Sequence, residues 1–124
     1  MSLNVLVAES SPQARKNIIQ SLQEIGVRNV TEASDGPEAI RQHKEAQFDL
    51  LFIDWNLQAQ QGQNLVQEIR QLNRDVPIIA TVPTESQNIA QEADQAGASG
   101  LLVKPFTTEM LREKFEKYAG VSAR

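Results

Sequence analysis

The sequence predicts an α/β fold in which five consecutive βα units form a doubly wound, five-stranded parallel sheet with helices on both faces. Three observations predict it: short apolar runs rich in β-branched residues, stretches of helical spacing between them, and cap or turn residues at the joints. The apolar runs are Asn4 to Ala8, Val27 to Ala33, Leu50 to Ile53, Ile78 to Val82 and Gly100 to Val103. Nearly continuous apolar runs of this length suit parallel strands covered on both faces.

The helices follow in order. Ala14, Ile18, Leu22 and Ile25 recur every three or four residues and lay one apolar stripe on the sheet. Ser11-Pro12 opens that helix as an N-cap followed by proline, whose missing N–H costs nothing there. Gly36-Pro37-Glu38 repeats the device for the second helix, with a carboxylate near the positive end of the helix dipole. Leu65, Ile69 and Leu72 read as the core stripe of the third helix, Ile89, Ala93 and Ala96 mark the fourth, and Leu111, Phe115 and Tyr118 the fifth. Thr84-Glu85-Ser86-Gln87 has capping-box spacing before the fourth helix, with Thr84 as a plain N-cap. Gly26 and Gly97 follow apolar helix ends, where a left-handed cap is expected.

Composition sets the outer bounds. A chain of 124 residues suits one domain spanning 1–124, with 119–124 read as a flexible tail. Met1-Ser2-Leu3 can also be read as an appended start, which would make the chain a domain cut from a longer protein. A hydrophobic share of 40% is enough for a real core, and a net charge of −4 argues against nucleic acid or an anionic membrane as direct partner. No apolar run approaches the ~20 residues needed to cross a bilayer. With no cysteine, neither a disulfide framework nor a thiolate metal site can form, and a cytoplasmic location fits.

In an open parallel sheet, chemistry collects at the carboxyl ends of the strands. Those ends carry Glu9-Ser10, Asp54-Trp55-Asn56, Thr81-Val82 and Lys104-Pro105-Phe106. Two carboxylates, an amide, hydroxyls and a lysine thus converge on one rim. Carboxylates joined by carbonyls and waters make a hard-oxygen site suited to Mg²⁺. Phosphoryl transfer needs little more than a nucleophile, a metal and cations around the transferring group, and a strand-end carboxylate can be the nucleophile. His43 is the only histidine and reads as partly covered packing; Trp55 reads as a loop aromatic partly exposed at the rim. No G-x-G-x-x-G exists, and without a Ser/Thr/Gly-rich loop after the first strand a flavin carrier is remote.

Val5-Leu6-Val7-Ala8-Glu9, Asp54 at the third strand, Ala96-Gly97-Ala98-Ser99-Gly100 and Val103-Lys104-Pro105-Phe106, in that order and spacing, resemble the receiver domains of bacterial response regulators. The resemblance covers essentially the whole chain. It implies a flavodoxin-like fold with strand order 2-1-3-4-5, and a signalling module rather than an enzyme. It also implies phosphorylation of Asp54 by a histidine kinase or phosphotransfer protein, dependence on Mg²⁺, and a downstream target protein or effector domain. Glu9, Asp54, the backbone carbonyl of Asn56 and, through a water, Ser10 would serve the metal. Lys104 would contact the acyl phosphate, and the Lys104–Pro105 bond would be cis. The fourth helix, fifth strand and fifth helix would carry the signal, with Leu101 where an aromatic switch residue is usual.

Three departures qualify that reading. The family usually has two adjacent acids where this chain has Glu9 and Ser10, so weak Mg²⁺ binding is expected. The phosphoryl-sensing hydroxyl on the fourth strand, counted from Pro77, falls on Val82, the preferred switch position; Thr81, one step away, would point elsewhere unless the strand end is one residue shorter, as a short loop to Ile89 allows. Gln58 replaces a proline common after the third strand, in the patch Gln58-Ala59-Gln60-Gln61-Gly62-Gln63, which should be more mobile for it. These features keep open an alternative: a receiver-like interaction module that signals without phosphorylation.

Overall fold

The computed structural model describes residues 3–57, 62–84 and 86–120. Each apolar run becomes a strand: β1 (Asn4–Ala8), β2 (Asn29–Ala33), β3 (Leu50–Asp54), β4 (Ile78–Val82) and β5 (Gly100–Val103). Between and after them run α1 (Pro12–Glu24), α2 (Gly36–Glu45), α3 (Gly62–Leu72), α4 (Gln87–Ala96) and α5 (Thr108–Ala119). All strand pairs are parallel, in the order β2-β1-β3-β4-β5. The order reverses between β1 and β3, so the loops after those two strands part and leave a crevice at their carboxyl ends.

Alternation along the strands sorts the core into two layers. Val5, Val7, Leu50, Phe52, Ile79 and Leu102 pack with Ile18 and Leu22 of α1 and Leu111 and Phe115 of α5. Leu6, Ala8, Leu51, Ile53, Ala80 and Val82 pack with Ala39 of α2, Leu65, Val66 and Ile69 of α3, and Ala93 of α4. Each large apolar side chain buried this way stabilises the fold by roughly 1.5–3 kcal/mol before chain entropy is counted.

Several expectations shift in detail. β2 begins at Asn29, because Val27 instead follows the left-handed Gly26 (φ 99°) and sends its N–H back to Leu22 O at 2.9 Å. Asp35, not Gly36, caps α2 by accepting the Glu38 N–H at 2.8 Å. Ser86, not Thr84, caps α4 by accepting from Ile89 N at 3.1 Å. Leu72 is 49% exposed: α3 ends there, and Val66 fills the stripe instead. Ala119 is the last residue of α5 and partly buried, so helix persists to the start of the expected tail. Residues 1–2, 58–61 and 121–124, which hold most of the appended start, of the glutamine patch and of the expected tail, lie outside the described residues; Gly62 and Gln63, the end of that patch, open α3 instead of belonging to a loop.

At the opposite end from the crevice, Arg70 of α3 ties four elements together. Its guanidinium donates to Gly97 O at 2.7 Å, to the Val76 and Asn73 carbonyls, and to Ser99 Oγ at 3.3 Å. Gly97 lets the side chain pass, since a Cβ there would lie 2.5 Å from Arg70 Cγ, and its φ of 113° disfavours a side chain in any case.

Candidate functional site

Two carboxylates are buried at the carboxyl edge of the sheet: Glu9, just past β1, and Asp54, the last residue of β3. Lys104, just past β5, reaches both. Its Nζ lies 2.7 Å from Glu9 Oε1 and 3.0 Å from Asp54 Oδ1. The Lys104 N–H, bonded to Val82 O at 2.8 Å, continues the sheet ladder one step and aims the side chain onto the α1/α5 side. The Lys104–Pro105 bond is cis.

Every polar atom of Glu9 is engaged. The N–H donates to Ala33 O at 3.0 Å, and the carbonyl accepts from Arg15 Nη1 at 2.7 Å. Oε1 meets Lys104, and Oε2 accepts the Ser11 N–H at 3.1 Å, next to the α1 cap. Asp54 Oδ1 takes a second bond from the Asn56 N–H at 3.2 Å. Asn56 is therefore at the acceptor, with its residue exposed to solvent, and Ser10 is half-buried beside Glu9.

Electrostatics reflect the crowding. Burial raises the Glu9 pKa, the neighbouring Asp54 carboxylate adds to it, and the bonds from Lys104 and Ser11 only partly offset the rise. For Lys104, burial pulls downward, but the hydrogen bonds to Glu9 and Asp54 outweigh it and the pKa is raised. One ammonium is thus held by two carboxylates that would otherwise repel each other.

The β4 positions separate cleanly. Thr81 is in register with Asp54 and shares its face, which is the Ile79 side. It is 1% exposed, and its Oγ1 has no hydrogen-bond partner among the described residues. Val82 points to the opposite layer, among Ala80 and Ile53. Leu101 pairs with Ala80 and packs on that same layer, partly buried. Trp55 is 8% exposed, which corrects its reading as a partly exposed rim aromatic: it packs into the α2–α4 layer near Leu57 and Leu65.

Sequence reasoning missed two contributors. Arg15 grips the Glu9 carbonyl, and its signal was a cation in the first turn of a helix, where the dipole disfavours one. Gly62 starts α3 directly against the acceptor: its N–H donates to Trp55 O at 3.1 Å, and a Cβ would collide with Asp54 O and lie 2.7 Å from Trp55 Cα. A glycine at the close of a polar loop was the available hint.

Comparison with known proteins agrees with this architecture. The family model for the response regulator receiver domain matches residues 5–116. The chemotaxis protein CheY of Pseudomonas aeruginosa is 32% identical over 117 residues, covering 93% of this chain and 94% of that protein. CheY-3 of Vibrio cholerae is 31% identical over 118 residues, covering 94% and 91%. Among solved structures, Vibrio cholerae CheY4 superposes with a TM-score of 0.90 at 30% identity, covering 95% of this chain and 99% of that one. The receiver domain of the Pseudomonas aeruginosa sensor histidine kinase PA1611, with a magnesium ion coordinated in its active site cleft, superposes with a TM-score of 0.88 at 29% identity, covering 98% and 100%. A match running from β1 into α5, with relatives of about the same length, makes this chain a member of the response regulator receiver domain family, the signal-receiving module of two-component systems.

Proposed function

We propose that Asp54 accepts a phosphoryl group from a phosphohistidine on a histidine kinase or phosphotransfer protein, and that the modified domain changes its contacts with a downstream protein. The observation that carries this reading is the convergence of Glu9 and Asp54 on Lys104 at the crevice of the sheet. A carboxylate oxygen of Asp54 attacks phosphorus as the phosphorus–nitrogen bond to the donor imidazole breaks, and the electron pair leaves with the imidazole. Lys104 then stands where it can neutralise a phosphoryl oxygen. Thr81, in register with Asp54 and with a buried unpartnered hydroxyl, is the candidate contact on β4.

The donor set fits a magnesium ion. Two carboxylates already converge on one cation, and the Asn56 carbonyl and, through a water, Ser10 would complete a hard-oxygen set. Bound there, Mg²⁺ would supply charge neutralisation for the transferring group. With one acid fewer than is usual and a lysine already between the carboxylates, its binding is weak. The protein turns over no external metabolite and works in the cytoplasm.

Intact-mass measurement after incubation with Mg²⁺ and a small phosphodonor tests the reading. Wild type gains about 80 Da, one phosphoryl group, and Asp54→Asn gains nothing. Signalling without phosphorylation is the second reading, favoured by Ser10 and by the turn of Val82 into the far layer. An unchanged wild-type mass, with Mg²⁺ bound, selects it.

A further inference from the structure

Arg15 breaks a local rule. It lies in the first turn of α1, where the helix dipole is positive and an acid is favoured, and that turn holds no acid. The side chain nonetheless has two partners and is only 18% exposed. Its Nη1 donates to Glu9 O at 2.7 Å and its Nε to Glu32 Oε1 on β2 at 2.9 Å. Glu32 sits one strand away and faces the same layer, since its neighbour-but-one Val30 packs on the α1/α5 core. A residue that violates a local preference while gripping a site residue marks a place where function has overridden stability.

We infer that Arg15 is a positioning residue for the acceptor site, fixing the backbone of Glu9 so that its carboxylate stays directed at Lys104 and Asp54. This rests on the phosphoacceptor reading for its purpose, but not for its test. Glu9 lies just past β1, where the ladder supplies only the bond to Ala33 O. Without Arg15 the carbonyl would be free to rotate, and the Ser11 N–H would lose its registration on Glu9 Oε2. The need is sharper here because position 10 is serine. A single carboxylate on this loop must do what an adjacent pair would share, so its orientation matters more.

Electrostatics and positioning predict opposite signs, which makes the inference testable. If Arg15 acted only as a nearby positive charge, Arg15→Met would strengthen Mg²⁺ binding. If it positions Glu9, Arg15→Met weakens Mg²⁺ binding, read by Trp55 fluorescence, and Arg15→Lys, which keeps a donor, restores most of it. Amide hydrogen exchange at Ser11 gives a metal-free reading: its protection falls about tenfold in Arg15→Met, as expected for loss of one charge-assisted bond, and recovers in Arg15→Lys. Should Arg15→Met prove unfolded, Glu32→Ala carries the test, because it removes the other anchor of the guanidinium and should lower Ser11 protection in the same direction. Tighter or unchanged Mg²⁺ binding with unchanged Ser11 exchange overturns the proposal. A wild type that orders Ser11 through Arg15 yet never gains phosphoryl mass would remove the phosphoacceptor reading and leave this one standing.

Discussion

Lys104 Nζ lies 3.0 Å from Asp54 Oδ1 although a whole strand, β4, separates their strands in the sheet. The lysine therefore spans the β4 column on the α1/α5 side, over the register position of Thr81, to reach β3 and then Glu9 beyond β1. Lys104→Met leaves two buried carboxylates facing each other. We expect a loss of roughly 2 kcal/mol, below the 3–5 kcal/mol of a fully buried pair because the lysine is partly exposed and Glu9 can take up a proton. Added Mg²⁺ should stabilise this variant more than wild type, since the competing ammonium is gone. Urea denaturation with and without Mg²⁺ measures both.

Ser10→Asp restores two adjacent acids. Mg²⁺ affinity by Trp55 fluorescence should rise about tenfold, the scale of one added carboxylate near the ion. Without Mg²⁺ the same variant should be less stable than wild type, because a third carboxylate crowds Glu9 and Asp54. Equal affinity in the two proteins would mean that Ser10 is not at the metal position.

Gly62→Ala places a methyl group against the backbone of the acceptor. The atoms it meets are Asp54 O and Trp55 Cα, which cannot swing aside as a flexible side chain would. The start of α3 must retreat from β3, at a cost of about 1–3 kcal/mol for overpacking. Thermal unfolding should register the loss, and the buried indole of Trp55 should shift its emission to longer wavelength.

His43 stacks on Phe48 with ring centroids 6.4 Å apart, and its Nδ1 is buried without a hydrogen-bond partner among the described residues. Burial lowers its pKa below the ordinary 6.5. The unfolded chain thus takes up a proton before the folded one does. The contribution of His43 is complete above pH 6.5 and is lost as pH falls through the folded-state value. Melting temperature should therefore drop more steeply below pH 6.5 in wild type than in His43→Phe. Parallel curves would show that the ring protonates without penalty.

Glu9 has the opposite sense. Its raised pKa means that the folded state holds the proton more tightly, so its contribution is present below the ordinary 4.5 of a glutamate and declines as pH rises through the folded value. Glu9→Gln should flatten the pH dependence of stability in that window, as differential scanning calorimetry across mildly acidic pH would show.

The order of elements and the rim residues were legible in the sequence because both depend on patterns the chain cannot disguise. Buried parallel strands must be apolar on both faces, and the residue ending such a strand must lie at the crevice. Glu9, Asp54 and Lys104 were found that way, and their meeting required only the strand order. Cap positions were less legible: Asp35 and Ser86 stand one and two residues from the residues first assigned, and several neighbouring hydroxyls and carboxylates could each have served. Leu72 is left outside because α3 ends there, and spacing alone does not reveal helix length; Trp55, in the loop after β3, packs into the α2–α4 layer, and no periodic pattern marks a single loop aromatic as buried. Arg15 and Arg70 escaped because long cationic side chains look like ordinary surface until their acceptors, here backbone carbonyls, are placed around them.

Arg70 gives the two ends of the sheet different characters. At the strand starts, one guanidinium buttons the close of α3 and the close of α4 to the approaches of β4 and β5, so those four elements share a common foundation. No comparable buckle joins α3 and α4 at the rim among the described residues. Any displacement that begins at the acceptor is therefore expected to pivot about that foundation, tilting α4 from its far end rather than sliding it bodily along the sheet.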